Sequence, residues 1–128
     1  MNRVVIGVGS NVTPEKNIPR ARDCLRAEFT VLAESDFIET EPIGIAGQPN
    51  FINGAVLIKT ELGEAELKKK LLKIEHSLGR TRFSDKYAPR TIDLDILVWN
   101  NEILDTDVFE RGYLKDSIIQ LLPDIHIE

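Results

Sequence analysis

The sequence predicts an α+β fold in which α-helices pack on one antiparallel β-sheet. Two observations lead to this class. Runs rich in β-branched residues, such as Val4–Val8, alternate with amphipathic helical segments. The chain also has no internal repeat, low-complexity stretch or linker. The 128 residues therefore form one domain, 1–128, which is long enough to bury its own core.

The first half of the chain is predicted to form a strand, a helix and a second strand. The first strand runs from Asn2 to Gly9. We expect the helix to begin near Asn17, because Pro19 then lies in the first turn, where proline is tolerated. One continuous strand is predicted for Thr30–Thr40. The segment Glu41–Pro49 contains two prolines and two glycines, which indicate a loop.

The second half is predicted to complete the sheet. A strand at Asn50–Thr60 precedes the clearest helix, Glu64–Leu78, and Gly79 follows where a left-handed residue commonly ends a helix. The later elements are a strand at Thr91–Trp99, a short strand at Glu102–Leu104 and a last helix at Tyr113–Leu122. The order is β-α-β-β-α-β with a short tail, which is the ferredoxin-like plan. We expect the helices on one face of the sheet.

Composition and charge limit the classes of function. The formal net charge is −5, which does not favour nucleic acid or an anionic membrane as a partner. Cys24 is the single cysteine, so an internal disulfide and a thiolate metal cluster are excluded. The N-terminus lacks a signal-peptide core, and no apolar run approaches the length of a membrane span. We expect a soluble cytoplasmic protein that is a monomer or a homodimer.

Two carboxylates in the Thr91–Trp99 strand indicate metal chemistry. Side chains alternate across a strand, so Asp93 and Asp95 project together from one face. The residues assigned to the opposite, core face are Ile92, Leu94, Ile96 and Val98. Carboxylates this close repel each other unless a cation lies between them, and oxygen ligands suit Mg²⁺ shared with substrate phosphates. A bare Asp-x-Asp pair is more often a solvated strand face, so it does not decide the function alone.

A cluster of cations directly before this pair favours phosphate chemistry. Arg80, Arg82 and Arg90 lie within eleven residues of a chain that is acidic overall. Arginine matches phosphate oxygens in bidentate geometry, and phosphoryl transfer depends mainly on positioning and charge neutralisation. We expect the polar loop that carries them to be mobile without ligands. The alternative is a surface loop whose arginines pair with nearby acids such as Asp85.

A third group of residues suits the recognition of a heterocycle. On the Asn50–Thr60 strand, Asn53 carries an amide that donates and accepts hydrogen bonds, as the edge of a heterocycle requires. Phe51 lies on the same strand face, where its ring can stack on a ligand. The signal is weak by itself, because an Asn-Gly pair in a strand is more often a bulge and a phenylalanine more often belongs to the core.

These motifs together resemble one enzyme family. Pro89-Arg90-Thr91, followed by an aliphatic residue, Asp93, an aliphatic residue and Asp95, closely resembles the signature of the 6-hydroxymethyl-7,8-dihydropterin pyrophosphokinases. Other segments that resemble the family, in the same order, are Ile6–Asn11, Thr40 with Pro42–Gly44, Pro49–Asn53, and Glu75 with Gly79–Arg82. The resemblance runs from Val4 to about Pro123. It implies transfer of pyrophosphate from ATP to 6-hydroxymethyl-7,8-dihydropterin, with release of AMP, in folate biosynthesis.

The resemblance also implies a role for each site residue. Asp93 and Asp95 would hold two Mg²⁺ ions, and the catalytic arginines would be Arg80, Arg82 and Arg90. The implied pterin site comprises Thr40, Ile43, Phe51, Asn53 and Tyr113, with the ring between the two aromatic side chains. The implied ATP site comprises Glu75, Arg80, Arg90, Ile96 and Arg111. The expected partners are therefore ATP and a dihydropterin, without nucleic acid or membrane.

Two other functions stay open at this point. The segment Asp105–Glu110 carries three acids and lacks the histidine that the family has after its metal strand. Acids beside a triphosphate would repel it, which favours a catalytically weak or inactive pterin- or nucleotide-binding protein of the same fold. A regulatory or RNA-binding module would need exposed aromatic residues and a basic surface, and the chain has few aromatics and an acidic balance. We therefore rank the active pyrophosphokinase first.

Overall fold

The computed structural model describes residues 1–42, 47–79 and 91–127, which contain six strands and three α-helices. The strands are β1 Asn2–Ser10, β2 Thr30–Glu34, β3 Ile38–Thr40, β4 Phe51–Thr60, β5 Asp93–Trp99 and β6 Glu102–Ile103. The helices are α1 Pro14–Glu28, α2 Glu64–Ser77 and α3 Gly112–Leu121, and a 3₁₀ turn lies at Thr106–Phe109. Among these residues, no helix has the length and apolar character needed to cross a membrane.

The strands form one antiparallel sheet in the order β2-β4-β1-β5-β6, with β3 also paired to β4. The central strand β1 pairs with β4 along its whole length, from Asn2 opposite Thr60 to Ser10 opposite Ile52. On its other side β1 pairs with β5. From Val4 onwards β1 is buried, as expected for a strand covered on both faces. This order is that of the ferredoxin-like plan, so the predicted fold class is confirmed.

The sheet carries a core on each face, which corrects the prediction that the helices lie on one side. Helices α1 and α2 cover one face, where Leu25 and Leu67 belong to a cluster with Ile6. Helix α3 covers the other face, where Ile118 belongs to a cluster with Val5. An amphipathic stripe shows that one side of a helix is buried, but it does not reveal which face of a sheet receives that side.

The predicted start of the first helix is wrong. Helix α1 begins at Pro14, and Pro19 therefore lies inside it. Proline lacks an N–H and removes one hydrogen bond of the helix. The Asn17 side chain donates to the Val12 carbonyl at the start of the helix, and Ile18 is buried beside the proline. These contacts offset the hydrogen bond that Pro19 cannot donate. The helix therefore begins at Pro14, about one turn before the predicted start near Asn17.

The continuous strand predicted for Thr30–Thr40 is also wrong, because the chain forms two strands with a break at Ser35. The Ser35 N–H donates to the Ala55 carbonyl at 2.9 Å, and the Ser35 hydroxyl accepts the Ala55 N–H at 2.8 Å. Next to it, the backbone N–H of Asp36 donates to Oε1 of Gln120 in α3 at 2.8 Å. The break is thus held to both β4 and α3.

The predicted helix end and tight turn of the second half are confirmed. Gly79 follows Leu78, the residue that caps the end of α2, and has a φ of +93°, which is the conformation that favours glycine. Asn100 and Asn101 have φ values of 48° and 69° in the turn that joins β5 to β6. Two consecutive residues with positive φ are typical of a two-residue hairpin turn.

A bulge at Leu97 changes which face of the sheet the end of β5 supplies. Val5 pairs with Val98 and Ile6 pairs with Ile96, so Leu97 is an extra residue on β5. Leu97 and Val98 both belong to the core beneath α3. The prediction that Val98 shares a face with Leu94 is therefore wrong. The alternation holds from Ile92 to Ile96, which is the part that positions the two aspartates.

Candidate active site

The candidate site lies on the α3 face of the sheet, where three strands bring polar side chains together. Asn53 of β4, Gly9 of β1 and Asp93 of β5 are partners across the sheet. In the next row, Gly7 lies opposite Asp95. Residues paired in this way share a face of the sheet. The two carboxylates and the Asn53 amide therefore point to the same side, and the two glycines leave the space above β1 open.

Helix α3 and the residues before it form the wall of this cleft. The cleft is small, with a cavity volume of about 50 Å³. The wall residues are Asp105, Asp107, Arg111, Tyr113 and Leu114. Five side chains proposed from the sequence thus meet in one place: Asn53, Asp93, Asp95, Arg111 and Tyr113.

The two aspartates form an electrostatically unfavourable pair without a cation. Burial raises the pKa of Asp95 to about 7, and the Asp93 carboxylate adds to this effect through its charge and a hydrogen bond. Asp105 and Glu75 act on this pKa in the same direction. A bound cation would replace the proton that the pair otherwise retains.

The donor set suits Mg²⁺ better than a metal that needs a complete protein cage. Among the described residues, no three His, Cys, Asp or Glu side chains converge as ligands. Mg²⁺ commonly uses one or two carboxylates and completes its shell with water and substrate phosphates. Asp93 and Asp95, side by side at the cleft, fit that pattern.

The amide of Asn53 is held by its neighbours. Its Nδ2 donates to the Thr40 hydroxyl of β3. A Cβ atom added at Gly9 would lie only 2.5 Å from the Asn53 Oδ1, so a glycine is needed there for the amide to lie where it does. The orientation of the amide is therefore fixed before a ligand arrives, with one edge bonded to Thr40.

Arg111 brings a positive charge to the cleft, close to acidic neighbours. Its Nη2 lies 3.5 Å from Oδ2 of Asp107, one helical turn earlier in the chain. Burial opposes the charged form, but interactions with Tyr113, Asp107 and Asp105 raise the pKa of Arg111 overall. The guanidinium thus stays ionised at the mouth of a site that contains several carboxylates.

A second cavity adjoins the first and shares Asp95 with it. It encloses about 650 Å³ including open solvent, and Ile96 and Leu104 supply its apolar surface. Glu64 and Lys68 from the start of α2 line the same space. Asp105 also lines both cavities, so two carboxylates lie where the two spaces meet, and each space can hold one of two substrates.

Some residues proposed from the sequence lie elsewhere. Phe51 is on the same face of β4 as Asn53, but it is not among the described residues that line either cavity. Glu75 is completely buried, so in this structure it has no surface to offer to ATP. Ile43 and the arginines Arg80, Arg82 and Arg90, together with the predicted mobility of their loop, lie outside the described residues.

Sequence reasoning missed the floor of the cleft. Gly7 and Gly9 lie inside β1 and form the floor. Two glycines spaced two apart in a buried strand signal an open strip on one sheet face, which could have revealed them. Asp105 and Asp107 belong to the acidic segment that was expected beside a triphosphate, and both line the wall of the cleft.

Comparison with known proteins places this geometry in context. Residues 5–123 match the family described as 7,8-dihydro-6-hydroxymethylpterin-pyrophosphokinase. A Bacillus subtilis protein named 2-amino-4-hydroxy-6-hydroxymethyldihydropteridine pyrophosphokinase is 40% identical over 140 aligned residues, covering 100% of this chain and 83% of its own. A Pseudomonas aeruginosa protein of the same name is 31% identical, covering 99% and 85% respectively.

A plant relative contains the same region within a longer chain. The folate synthesis bifunctional protein of Arabidopsis thaliana is 33% identical over 129 aligned residues, which are 93% of this chain and 27% of its own. The match thus extends over nearly all of this chain in bacterial and plant relatives. On these grounds, the chain belongs to the 7,8-dihydro-6-hydroxymethylpterin-pyrophosphokinase family.

Proposed function

We propose that this protein transfers the pyrophosphoryl group of ATP to 6-hydroxymethyl-7,8-dihydropterin at the cleft beneath α3, as its relatives are named to do. One observation carries the proposal: Asp93 and Asp95 line the same cleft as Asn53. A paired carboxylate suits a phosphate-bound cation, and a fixed amide suits the edge of a heterocycle. The proposal thus joins both substrates in one site.

Asp93 and Asp95 are proposed to hold Mg²⁺, with two ions present when ATP is bound. The raised pKa of Asp95 supports this assignment, since a site that disfavours two bare carboxylates favours a cation between them. When bound, Mg²⁺ would neutralise phosphate charge and polarise the phosphoryl group under attack. The contribution of the chain is to present both carboxylates from one strand face with a fixed spacing.

The pterin is proposed to lie above Gly7 and Gly9, with its polar edge on Asn53. The amide is fixed by the Thr40 hydroxyl, so little rotational freedom is lost when a ligand binds. Tyr113 lines the same cleft and offers an aromatic face to the ring. We keep Phe51 as the proposed aromatic contact on the other face of the ring, and Thr40 and Ile43 as proposed pterin contacts beside Asn53.

ATP is proposed to extend from the aspartates into the second cavity, with Ile96 against the base. Asp95 lines both cavities and thereby marks their meeting point. Arg111 would move from Asp107 to a phosphate oxygen, which is the stronger charge partner. Arg80, Arg82 and Arg90 are proposed to neutralise the remaining phosphate charge and exclude water.

The proposed reaction needs no nucleophile from the protein. The hydroxymethyl oxygen of the pterin bonds to the β-phosphorus of ATP, and the bond from that phosphorus to the oxygen bridging the α-phosphorus breaks. AMP leaves with the bridging oxygen, and the hydroxyl proton passes to solvent. Positioning and charge neutralisation supply the acceleration. We also predict a cytoplasmic monomer or homodimer without a nucleic-acid or membrane partner.

The direct test is release of AMP from ATP and Mg²⁺, measured with and without 6-hydroxymethyl-7,8-dihydropterin. We expect AMP only when the pterin is present. Replacement of Asp93 by Ala should abolish turnover and leave the fold intact, whereas replacement of the exposed Asp124 by Asn should change neither. Full activity of the Asp93→Ala variant would refute the metal assignment.

A second candidate is a pterin- or nucleotide-binding protein with little catalysis. The carboxylates of Asp105 and Asp107 at the cleft favour it, because they add negative charge where a triphosphate would bind. Saturable pterin binding without AMP release would select this function. In that case the Asp105→Asn and Asp107→Asn double variant should gain ATP affinity.

A further inference from the structure

Glu75 is an unusual residue because it is a completely buried acid on α2. Its relative exposure is 0%, and among the described residues no other charged side chain is buried. Placing a carboxylate in a core is unfavourable unless its oxygens have partners. Helix α2 otherwise buries apolar residues such as Leu67, Leu71 and Ile74. A leucine at this position would continue the stripe at a lower cost, so the acid requires a specific reason.

One partner of Glu75 supplies such a reason. Its Oε2 accepts the backbone N–H of Leu94 at 2.8 Å, and Leu94 lies between Asp93 and Asp95. On one side β5 pairs with β1, and on its other side β6 pairs only with Val98 and Trp99. Within the described residues, the outer edge of β5 at Leu94 thus has no strand neighbour. The carboxylate supplies the acceptor that a neighbouring strand would otherwise provide.

We propose that Glu75 is a positioning residue for the metal site, which holds the β5 backbone so that Asp93 and Asp95 keep the spacing that Mg²⁺ requires. This inference rests on the proposed function, because it assigns the metal to those two aspartates. The Leu94 N–H belongs to one of the two peptides that link Asp93 to Asp95, so a rotation of that peptide would change the positions of the two carboxylates relative to each other. Groups that orient metal ligands typically change metal affinity or activity by about 10–100-fold when they are replaced.

Three variants separate positioning from packing. Glu75→Gln keeps an acceptor oxygen, and Glu75→Leu removes it while filling the core. Leu71→Ala is the matched control, because Leu71 is buried on the same helix about one turn earlier and its loss should affect stability alone. Each variant is compared with wild type in urea unfolding, in pterin binding by fluorescence, and in binding of Mn²⁺ with α,β-methylene-ATP by electron paramagnetic resonance.

We expect Glu75→Leu to weaken Mn²⁺ binding by about tenfold or more, with pterin affinity within about twofold of wild type. Glu75→Gln should bind Mn²⁺ within about threefold of wild type, and Leu71→Ala should lose stability only. A folded Glu75→Leu variant with wild-type Mn²⁺ affinity would overturn the proposal. Equal loss of pterin and Mn²⁺ binding would also overturn it, since that result indicates general loss of structure.

Two further measurements keep the test decisive. In the wild-type protein the Leu94 amide should be protected from hydrogen exchange, whereas an edge amide without an acceptor would exchange rapidly. Rapid exchange of the Leu94 amide would overturn the proposal, and this measurement does not require Glu75→Leu to fold. The Asp95→Asn variant tests the metal assignment itself. If it binds Mn²⁺ like wild type, the proposed function is wrong. If it loses Mn²⁺ and Glu75→Leu does not, only the role of Glu75 is wrong.

Discussion

Replacing Asp95 by Asn should stabilise the metal-free protein in a pH-dependent way. Burial and the neighbouring Asp93 raise the pKa of Asp95 from 3.8 to about 7. In the unfolded chain an aspartate titrates near pH ~4, so between about pH 4 and 7 the folded protein retains a proton that the unfolded chain has lost. The stability contributed by protonated Asp95 is therefore complete below about pH 4 and is lost as the pH rises to about 7.

The size of the effect follows from the same pKa. One pKa unit corresponds to about 1.4 kcal/mol, so the complete loss is about 4 kcal/mol, of which about 2 kcal/mol falls between pH ~5 and ~7. Because Asn does not ionise, the Asp95→Asn variant does not lose this stability. The difference in unfolding free energy between variant and wild type should therefore grow, between pH ~5 and ~7, by the share that wild type loses there. Above about pH 7 the difference should level off.

The measurement is urea unfolding of both proteins in EDTA at several pH values from about 5 to about 8. Asp124→Asn is the control, because it removes one carboxyl at an exposed position that does not line the cleft. Adding Mg²⁺ with ATP should stabilise wild type much more than Asp95→Asn. A difference between variant and wild type that is flat across the whole range would refute the reasoning, because it would mean that burial and the neighbouring Asp93 do not raise the pKa of Asp95.

The remaining predictions concern the cleft and the core. Gly9→Ala should lower pterin affinity by about tenfold or more, because the added methyl would lie 2.5 Å from the Asn53 Oδ1, whereas Gly63→Ala meets no atom within 4 Å and should bind normally. Unchanged affinity in fluorescence titration of Gly9→Ala would contradict the proposed place of the pterin. Leu67→Ala should lose about 2–5 kcal/mol of unfolding free energy in urea, because Leu67 is 0% exposed beneath α2, and a loss below about 1 kcal/mol would count against that packing. Gly79→Ala should lose about 1 kcal/mol in the same assay, because the φ of Gly79 is +93°, and a stabilised variant would contradict this geometry.

The sequence predicted those features that depend on nearby residues. The apolar stripe through Leu67 and Leu71 and the glycine at position 79 located α2 closely, since spacing and a helix-ending residue are local signals. The Asp93 and Asp95 pair was found for the same reason, because two-residue spacing places both side chains on one strand face. Family resemblance then indicated which substrates to expect.

The sequence did not predict features that depend on long-range packing. The stripe of α3, which includes Ile118 and Leu121, reveals a buried side but not the sheet face that covers it. The bulge at Leu97 leaves an apparently regular alternation in the sequence, although the pairing with β1 shifts there. The value of Gly9 to the site likewise depends on Asn53, which lies across the sheet on another strand.

Because the sheet has a core on each face, substitutions in one core can be made on the side of the sheet opposite the cleft. Most of the core lies between the sheet and the pair α1 and α2, on the face away from the cleft. A library of apolar substitutions in that layer, at positions such as Leu25 and Leu71, can therefore be selected for thermal resistance without screening every member for turnover. Glu75 is an exception in this layer, because its hydrogen bond to Leu94 reaches the strand that carries the aspartates. Ile96 is another, because it packs against the same core and lines the cavity proposed for ATP. An engineer should keep these two positions constant and vary their neighbours.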